Sequence, residues 1–193
     1  MRAKGSVYIA TSLDGFIAKE DGGLDWLDAA SETVREGEDC GYAEFFNSID
    51  VLVMGRKTYE KVLSFGAWPY GDKRVVVMSQ RPIDFQDRDE DSDLVPACVT
   101  RSSENPTTLV ARLTAEGAKH LYVDGGQTIQ RFLAADLIDE MTITVIPILL
   151  GKGIPLFSSC GREIPLTHLS TQSYDWGFVQ SRYAVGSLEG EIE

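Results

Sequence analysis

An α/β sandwich around a mainly parallel sheet follows from three features of this 193-residue sequence. Its apolar segments are short, β-rich and continuous rather than alternating, which is the pattern of strands covered on both faces. Helical patterns fall between the first of these segments, so the strands are expected to run parallel through right-handed crossovers. The final third has strand-like segments with no helix between them and points to antiparallel strands added at one edge.

In chain order, strands are predicted at residues 7–10, 51–54, 75–78 and 121–123. Helices are predicted at 42–48, with Phe45, Phe46 and Ile49 on one side, at 58–64, at 107–116 behind Pro106, and at 128–135. Residues 141–150, 166–173 and 178–185 complete the sheet, which closes with a C-terminal hairpin. The acidic segment 84–93 (DFQDRDEDSD) is expected to be a solvated loop and residues 187–193 a frayed tail. A single domain spans 1–193 with its core at about 5–185, and a chain of this size buries roughly 70% of its unfolded surface, enough to enclose a ligand cleft.

Eighteen basic against thirty acidic residues give a formal charge of −12, which argues against nucleic acid as a partner because phosphate binding needs a basic surface. No apolar run reaches the ~20 residues of a membrane span, and no long apolar leader is present. Three widely spaced cysteines, Cys40, Cys98 and Cys160, suit a reducing cytoplasm and suggest neither a disulfide framework nor a metal site. One stretch runs against the acidic trend. From Arg56 to Arg81 six basic residues face two acids, a local balance that could receive a small anion or simply form a solvated face.

Three strand ends carry anion-binding chemistry. In Val123-Asp124-Gly125-Gly126-Gln127-Thr128 a buried-strand pattern passes through two glycines into a helix. A helix start presents unpaired N–H groups and the positive end of its dipole, and glycine lets a phosphate approach the backbone without meeting a Cβ. Met54-Gly55-Arg56-Lys57-Thr58 repeats the strand, glycine, helix junction with two cations added, and Ser79-Gln80-Arg81 is a third polar cluster at a strand end. Together they fit a ligand lying across the carboxyl edge of a parallel sheet.

With these junctions stand Ala10-Thr11-Ser12-Leu13-Asp14-Gly15-Phe16-Ile17-Ala18, Leu24-Asp25-Trp26-Leu27, and Leu137-Ile138-Asp139-Glu140-Met141 leading to Ile146-Pro147-Ile148-Leu149-Leu150-Gly151-Lys152-Gly153. In this order the elements resemble the dihydrofolate reductase superfamily. Over about residues 5–185 the chain looks most like the reductase domain of riboflavin-biosynthesis deaminase-reductases.

The resemblance implies a dihydrofolate reductase-like fold and an NADPH-dependent reductase acting on a small molecule. Gly125, Gly126, Gln127 and Thr128 would cradle the pyrophosphate, and the family precedent allows a cis bond between the two glycines. Gly55, Arg56, Lys57 and Thr58 would hold the 2′-phosphate and pyrophosphate, with Ser79, Gln80 and Arg81 beside the adenosine and Ala10 and Thr11 lining the nicotinamide pocket. An arginine and lysine pair suits a phosphomonoester, which favours NADPH over NADH. The reaction implied is reduction of the ribosyl group of 5-amino-6-(5-phosphoribosylamino)uracil to ribityl, by hydride delivery to C1′ of its opened, imine form. A homodimer is also implied.

On the acceptor side, residues 14–26 match the family's flexible loop. Trp26 and Phe46 are candidate substrate contacts, although Trp26 is equally readable as a core anchor. Asp124 matches an acidic substrate-binding residue of riboflavin-type reductases and could equally cap the following helix. Asp14 and Asp124 are the candidate catalytic carboxylates, while Leu13-Asp14-Gly15 is also good turn chemistry. Dihydrofolate reductases place a pterin-binding carboxylate where this chain has Ser31, with Asp28 and Glu32 as imperfect substitutes. The alternatives are therefore a dihydrofolate reductase with an altered proton-delivery group and a non-catalytic NADPH-binding protein. His120 and His168 lie beside no nucleophile motif, and His120 reads as structural.

Overall fold

The valine-rich runs do form the middle of the sheet. A computed structural model describes residues 1–83, 98–158 and 161–186. Its strands are β1 (Lys4–Ser12), β2 (Phe16–Ala18), β3 (Val51–Gly55), β4 (Arg74–Met78), β5 (Val99–Ser102), β6 (His120–Asp124), β7 (Glu140–Ile146), β8 (Ile154–Pro155), β9 (Leu166–Ser173) and β10 (Val179–Val185). Its helices are α1 (Asp25–Ser31), α2 (Tyr42–Ser48), α3 (Arg56–Leu63), α4 (Pro106–Ala115) and α5 (Gly126–Ala134). The loop expected within 84–93 and the tail expected at 187–193 lie outside the described residues.

Eight strands form one sheet in the order β5-β4-β3-β6-β1-β7-β10-β9, and β2 pairs with β8 apart from it. From β5 to β7 every neighbouring pair is parallel, whereas β10 and β9 are antiparallel. The expectation of an antiparallel strand beginning at 141 fails: β7 runs parallel to β1, because α5 and its following turn carry the chain back before β7 begins. The C-terminal hairpin is β9 and β10, and it is β10 that joins β7.

Alternation along the central strands builds two cores. Val51, Val53, Val76, Leu121 and Val123 pack against Leu109, Val110 and Leu113 of α4 and Ile129, Phe132 and Leu133 of α5. Leu52, Met54, Val75, Val77 and Tyr122 point the other way, toward Tyr42, Phe45 and Phe46 of α2 and Tyr59 of α3. Residues 129, 132 and 133 fall on one stripe of α5 and are buried; each apolar side chain so buried contributes roughly 2 kcal/mol. Pro106 opens α4, with Asn105 as its cap accepting from the Thr108 amide at 3.0 Å. A third cluster joins Trp26 of α1 to Ile146 and Phe178. His120 Nε2 lies 2.8 Å from Ser6 Oγ and Nδ1 lies 3.2 Å from the Ser48 carbonyl, so the ring ties β6 to β1 and α2, and burial lowers its pKa.

Candidate active site at the carboxyl edge of the sheet

Because β4, β3, β6 and β1 are consecutive and parallel, the segments leaving their carboxyl ends form a row. Ser79–Arg81, Gly55–Thr58, Asp124–Thr128 and Ala10–Asp14 follow one another along that edge, and three strand spacings cover about 14 Å. The sequence predicted three of these junctions to cooperate, and the topology makes them neighbours.

The two glycine junctions interlock. Met54 sits opposite Asp124 in the β3–β6 register, which brings Gly55 beside Gly125. A Cβ on Gly125 would overlap Thr58 Oγ1, and one on Gly55 would stand 2.8 Å from Thr128 Oγ1. Gly125 turns the chain with φ 87 and ψ 133, a conformation that L side chains rarely adopt. No peptide bond among the described residues is cis, so the Gly125–Gly126 bond is trans and the reversal comes from the Gly125 dihedrals instead.

Neither α3 nor α5 has a side-chain cap at its start. Among the described residues no side chain accepts from the amides of residues 56–58 or 126–128, although the Asp124 carboxylate takes the Gly125 amide at 2.7 Å, and these two starts meet beside two glycines. Backbone N–H groups and helix dipoles converging in this way can receive an anion. Arg56 and Lys57 add cations on the first turn of α3; the Arg56 guanidinium donates to Glu60 at 2.5 Å, a partially exposed pair that an incoming phosphate could replace. Lys57 and Gln127 are exposed, and Thr11 and Thr128 are buried. At the end of β4, Ser79 Oγ donates to the Arg81 carbonyl at 2.7 Å and Gln80 Nε2 donates to the Ser103 carbonyl at 2.9 Å, which fixes this turn.

Asp124 shares a sheet face with Tyr122 and so looks toward the aromatic layer over α2. Burial pushes its carboxyl from the ordinary 3.8 up to about 6, against the opposing hydrogen bond from the Gly125 amide at 2.7 Å. Burial, with the Asp124 charge as a second cause, pushes the Tyr42 hydroxyl up to about 12 and raises Tyr70 and Tyr122 as well. A carboxylate set among aromatic rings is the kind of group whose proton affinity moves toward neutrality.

The other predicted acceptor-side residues go elsewhere. Asp14 is exposed and braces a loop: its carboxylate accepts from Ser12 Oγ at 2.6 Å, the Gly151 amide at 2.7 Å and the Leu150 amide at 3.1 Å, and the Ser12 bond leads the causes that lower its pKa. Trp26 is buried against Ile146 and Phe178, its indole N–H without a partner among the described residues. Phe46 packs with Tyr42 and Tyr70 under the Lys73 ammonium.

Beside Ala10 opens a cleft of about 530 Å³, walled by Leu27, Ser31 and Val34 on one side and Glu38, Asp39, Cys40 and Tyr42 on the other. Strand residues Tyr8 and Thr144, with Ile146 and Phe178, form its floor. Ser31, which stands where dihydrofolate reductases have their pterin-binding carboxylate, does line it; Asp28 and Glu32 are exposed on α1 and beyond its end and do not. Gln180 of β10 organises the floor, its Nε2 lying within hydrogen-bond distance of three acceptors that share its two N–H groups: Tyr8 Oη at 2.9 Å, Thr144 Oγ1 at 3.0 Å and the Cys40 carbonyl at 3.0 Å. Tyr8 Oη also donates to that carbonyl. Sequence reasoning missed Tyr8, Thr144 and Gln180, which are 36 to 172 residues apart; a polar side chain at an inward strand position was the available signal.

Comparison with known proteins agrees with this architecture. The family model of the RibD C-terminal domain matches residues 3–179. YwjB of Bacillus subtilis (strain 168), an uncharacterized protein, is 41% identical over 177 residues, covering 90% of this chain and 94% of its own. A protein of Shewanella sp. PV-4, assigned by its name to riboflavin biosynthesis, superposes with a TM-score of 0.84 at 38% identity, over 97% of this chain and 100% of that one. The Thermotoga maritima diaminohydroxyphosphoribosylaminopyrimidine deaminase/5-amino-6-(5-phosphoribosylamino)uracil reductase shares the fold, with a TM-score of 0.67 at 16% identity over 95% of this chain and 56% of that one.

Proposed function

Since the chain belongs to the RibD C-terminal domain family, with its dihydrofolate reductase-like fold, we propose that it is an NADPH-dependent reductase of a pyrimidine-type acceptor related to ribosylaminouracil. The observation that carries this reading is the meeting of two glycine-led helix starts, at Gly55 and Gly125, two strands and one strand from a cleft that begins at Ala10. NADPH supplies the hydride when bound. The chain's own residues bind, orient and shield.

In this reading the first amides of α3 and α5, with Thr58 and Thr128, take the pyrophosphate, and Arg56 and Lys57 take the 2′-phosphate. Ser79, Gln80 and Arg81 flank the adenosine, and Ala10 and Thr11 meet the nicotinamide. The Gly15 to Gly23 loop covers the reacting atoms and excludes water. The Asp124 carboxyl, poised near 6, holds an acceptor polar group and can carry a proton at Oδ2. Asp14, committed to three donors, holds the loop closed at its base rather than touching the acceptor. A homodimer in the cytoplasm is proposed on family grounds, and sedimentation velocity reads the oligomeric part of that.

Titration with NADPH and NADH, followed by NADPH oxidation with ribosylaminouracil compounds and with dihydrofolate as separate acceptors, tests the reading. Tight binding of NADPH with turnover on the former is expected. Turnover on dihydrofolate alone, or no binding of NADPH, would sink it.

A further inference from the structure

Three residues stand in one row across the sheet beneath the cleft. Ala10 of β1 is opposite Thr144 of β7, and Thr144 is opposite Gln180 of β10, so all three share a face at strand spacings of about 4.8 Å. Tyr8 lies two residues before Ala10 on that face. Thr144 lines the cleft although only 7% of it is exposed. Around it Leu27 and Val34 on the walls and Ile146 and Phe178 on the floor are apolar.

The hydrogen bonds fix which atoms of this floor give protons. The Cys40 carbonyl can only accept, so the Gln180 atom 3.0 Å from it is the Nε2 donor rather than the amide oxygen. Tyr8 Oη donates to the same carbonyl, and burial, which pushes that hydroxyl up to about 12, keeps its proton in place. Tyr8 Oη and Thr144 Oγ1 are therefore acceptors for the Gln180 amide, at 2.9 Å and 3.0 Å. A hydroxyl that accepts from Gln180 still has its own proton to place. Among the described residues no acceptor stands within reach of the Thr144 proton, and the side left open to it is the cleft that Thr144 lines.

We propose that Thr144 Oγ1 donates a hydrogen bond to the molecule that is reduced, that Gln180 is the positioning residue which aims this proton, and that the cleft thereby selects a planar heterocycle presenting a ring carbonyl over one presenting an amino group. The inference rests on the reading of the cleft as the acceptor site. Thr144 is level with Ala10, so the bond holds the ring beside the place proposed for the nicotinamide. The selectivity is that of a polar group deprived of its partner: an amino group set against the Thr144 proton brings two donors together and leaves a buried one unpaired. Apolar walls add affinity without telling the two rings apart.

The test titrates the full chain with 5,6-diaminouracil and with its analogue in which both ring carbonyls are replaced by amino groups, by ligand-observed NMR at a pH where both are uncharged. The uracil is expected to bind about tenfold more tightly. Thr144→Val, which keeps the shape and deletes the hydroxyl, should bring the two rings to within about twofold of one another, and Thr144→Ser should restore the preference. Gln180→Leu leaves the Tyr8 bond to Cys40 in place and frees the Thr144 hydroxyl to accept as well as donate, so the preference should narrow while both rings still bind. Equal loss of affinity for both rings in Thr144→Val or Gln180→Leu is what a merely structural role would give, and it would overturn the proposal. Equal binding of the two rings by the parent, or no binding of the uracil, would do the same. NADPH titrated into the same preparations reads the reductase assignment separately: a parent that keeps the ring preference but fails to bind NADPH loses that assignment and retains the selectivity of the cleft.

Discussion

The starts of α3 and α5 and the start of α2 face the same backbone problem and resolve it in opposite ways. At α3 no side-chain acceptor meets the first-turn amides among the described residues and Arg56 and Lys57 stand there, while at α5 the Asp124 carboxylate takes only the Gly125 amide, at 2.7 Å. At α2 the Asp39 carboxylate takes up the Gly41 and Ala43 amides. A helix start left open is a binding device, and one closed by its own acid is a structural element that repels anions. In a chain with a formal charge of −12, the field at each helix start is thus set by its own near neighbours rather than by the screened net charge.

Variants at these starts break or sharpen the contrast, beginning with the largest effect. Gly125→Ala places a Cβ against Thr58 Oγ1 at φ 87, so a loss of about 3 kcal/mol in urea unfolding is expected together with loss of cofactor binding. Arg56→Ala should weaken NADPH by about 1.5–3 kcal/mol and leave NADH nearly unchanged, as read by paired titrations; equal weakening of both dinucleotides refutes the 2′-phosphate contact. Asp124→Asn probes the junction between the regions. A buried acid whose folded pKa rises from 3.8 to about 6 costs stability as pH climbs through that window, because the folded state holds the proton that the unfolded state has released. The asparagine variant should thus be more stable than the parent above pH 6 by on the order of 1 kcal/mol, with the difference vanishing at the acid end. Smallest is Asp39→Ala, worth about 1 kcal/mol as a lost cap. Amides of Ala43 and Gly41 hold the Asp39 carboxyl below its usual range, so its contribution is present at neutral pH and should disappear as pH falls through that lowered value.

How much of this was legible in the sequence depended on the distance over which each feature is encoded. The runs at 51–54 and 75–78 read as strands because their valines announce burial on both faces. The glycine junctions were visible because strand, glycine and helix start are contiguous. Helix α1 was not predicted, because the loop reading extended to Trp26 and a seven-residue helix has too few turns to show a period. The four residues of β5, with Thr100 and Arg101 exposed between Val99 and Ser102, lack the continuous apolar run that marked the other parallel strands. Asp14 illustrates a different limit. Its turn chemistry was apparent, but its amide donors lie 136 and 137 residues away and only the fold brings them near. The cleft was missed for the same reason, since its lining runs from Tyr8 to Phe178 and only the fold brings those residues together.

The interlock of the glycine junctions also governs how this protein can change over generations. Gly55 has extended dihedrals, φ −81 and ψ 162, so its intolerance of a side chain is purely one of space against Thr128. Removing that hydroxyl by Thr128→Ala should let alanine enter at 55, a rescue readable in a double-mutant cycle. No such path exists for Gly125, because Thr58→Ala would clear the space but leave the backbone at φ 87. The pair is therefore asymmetric: position 55 should accept alanine once its partner yields, and position 125 should not.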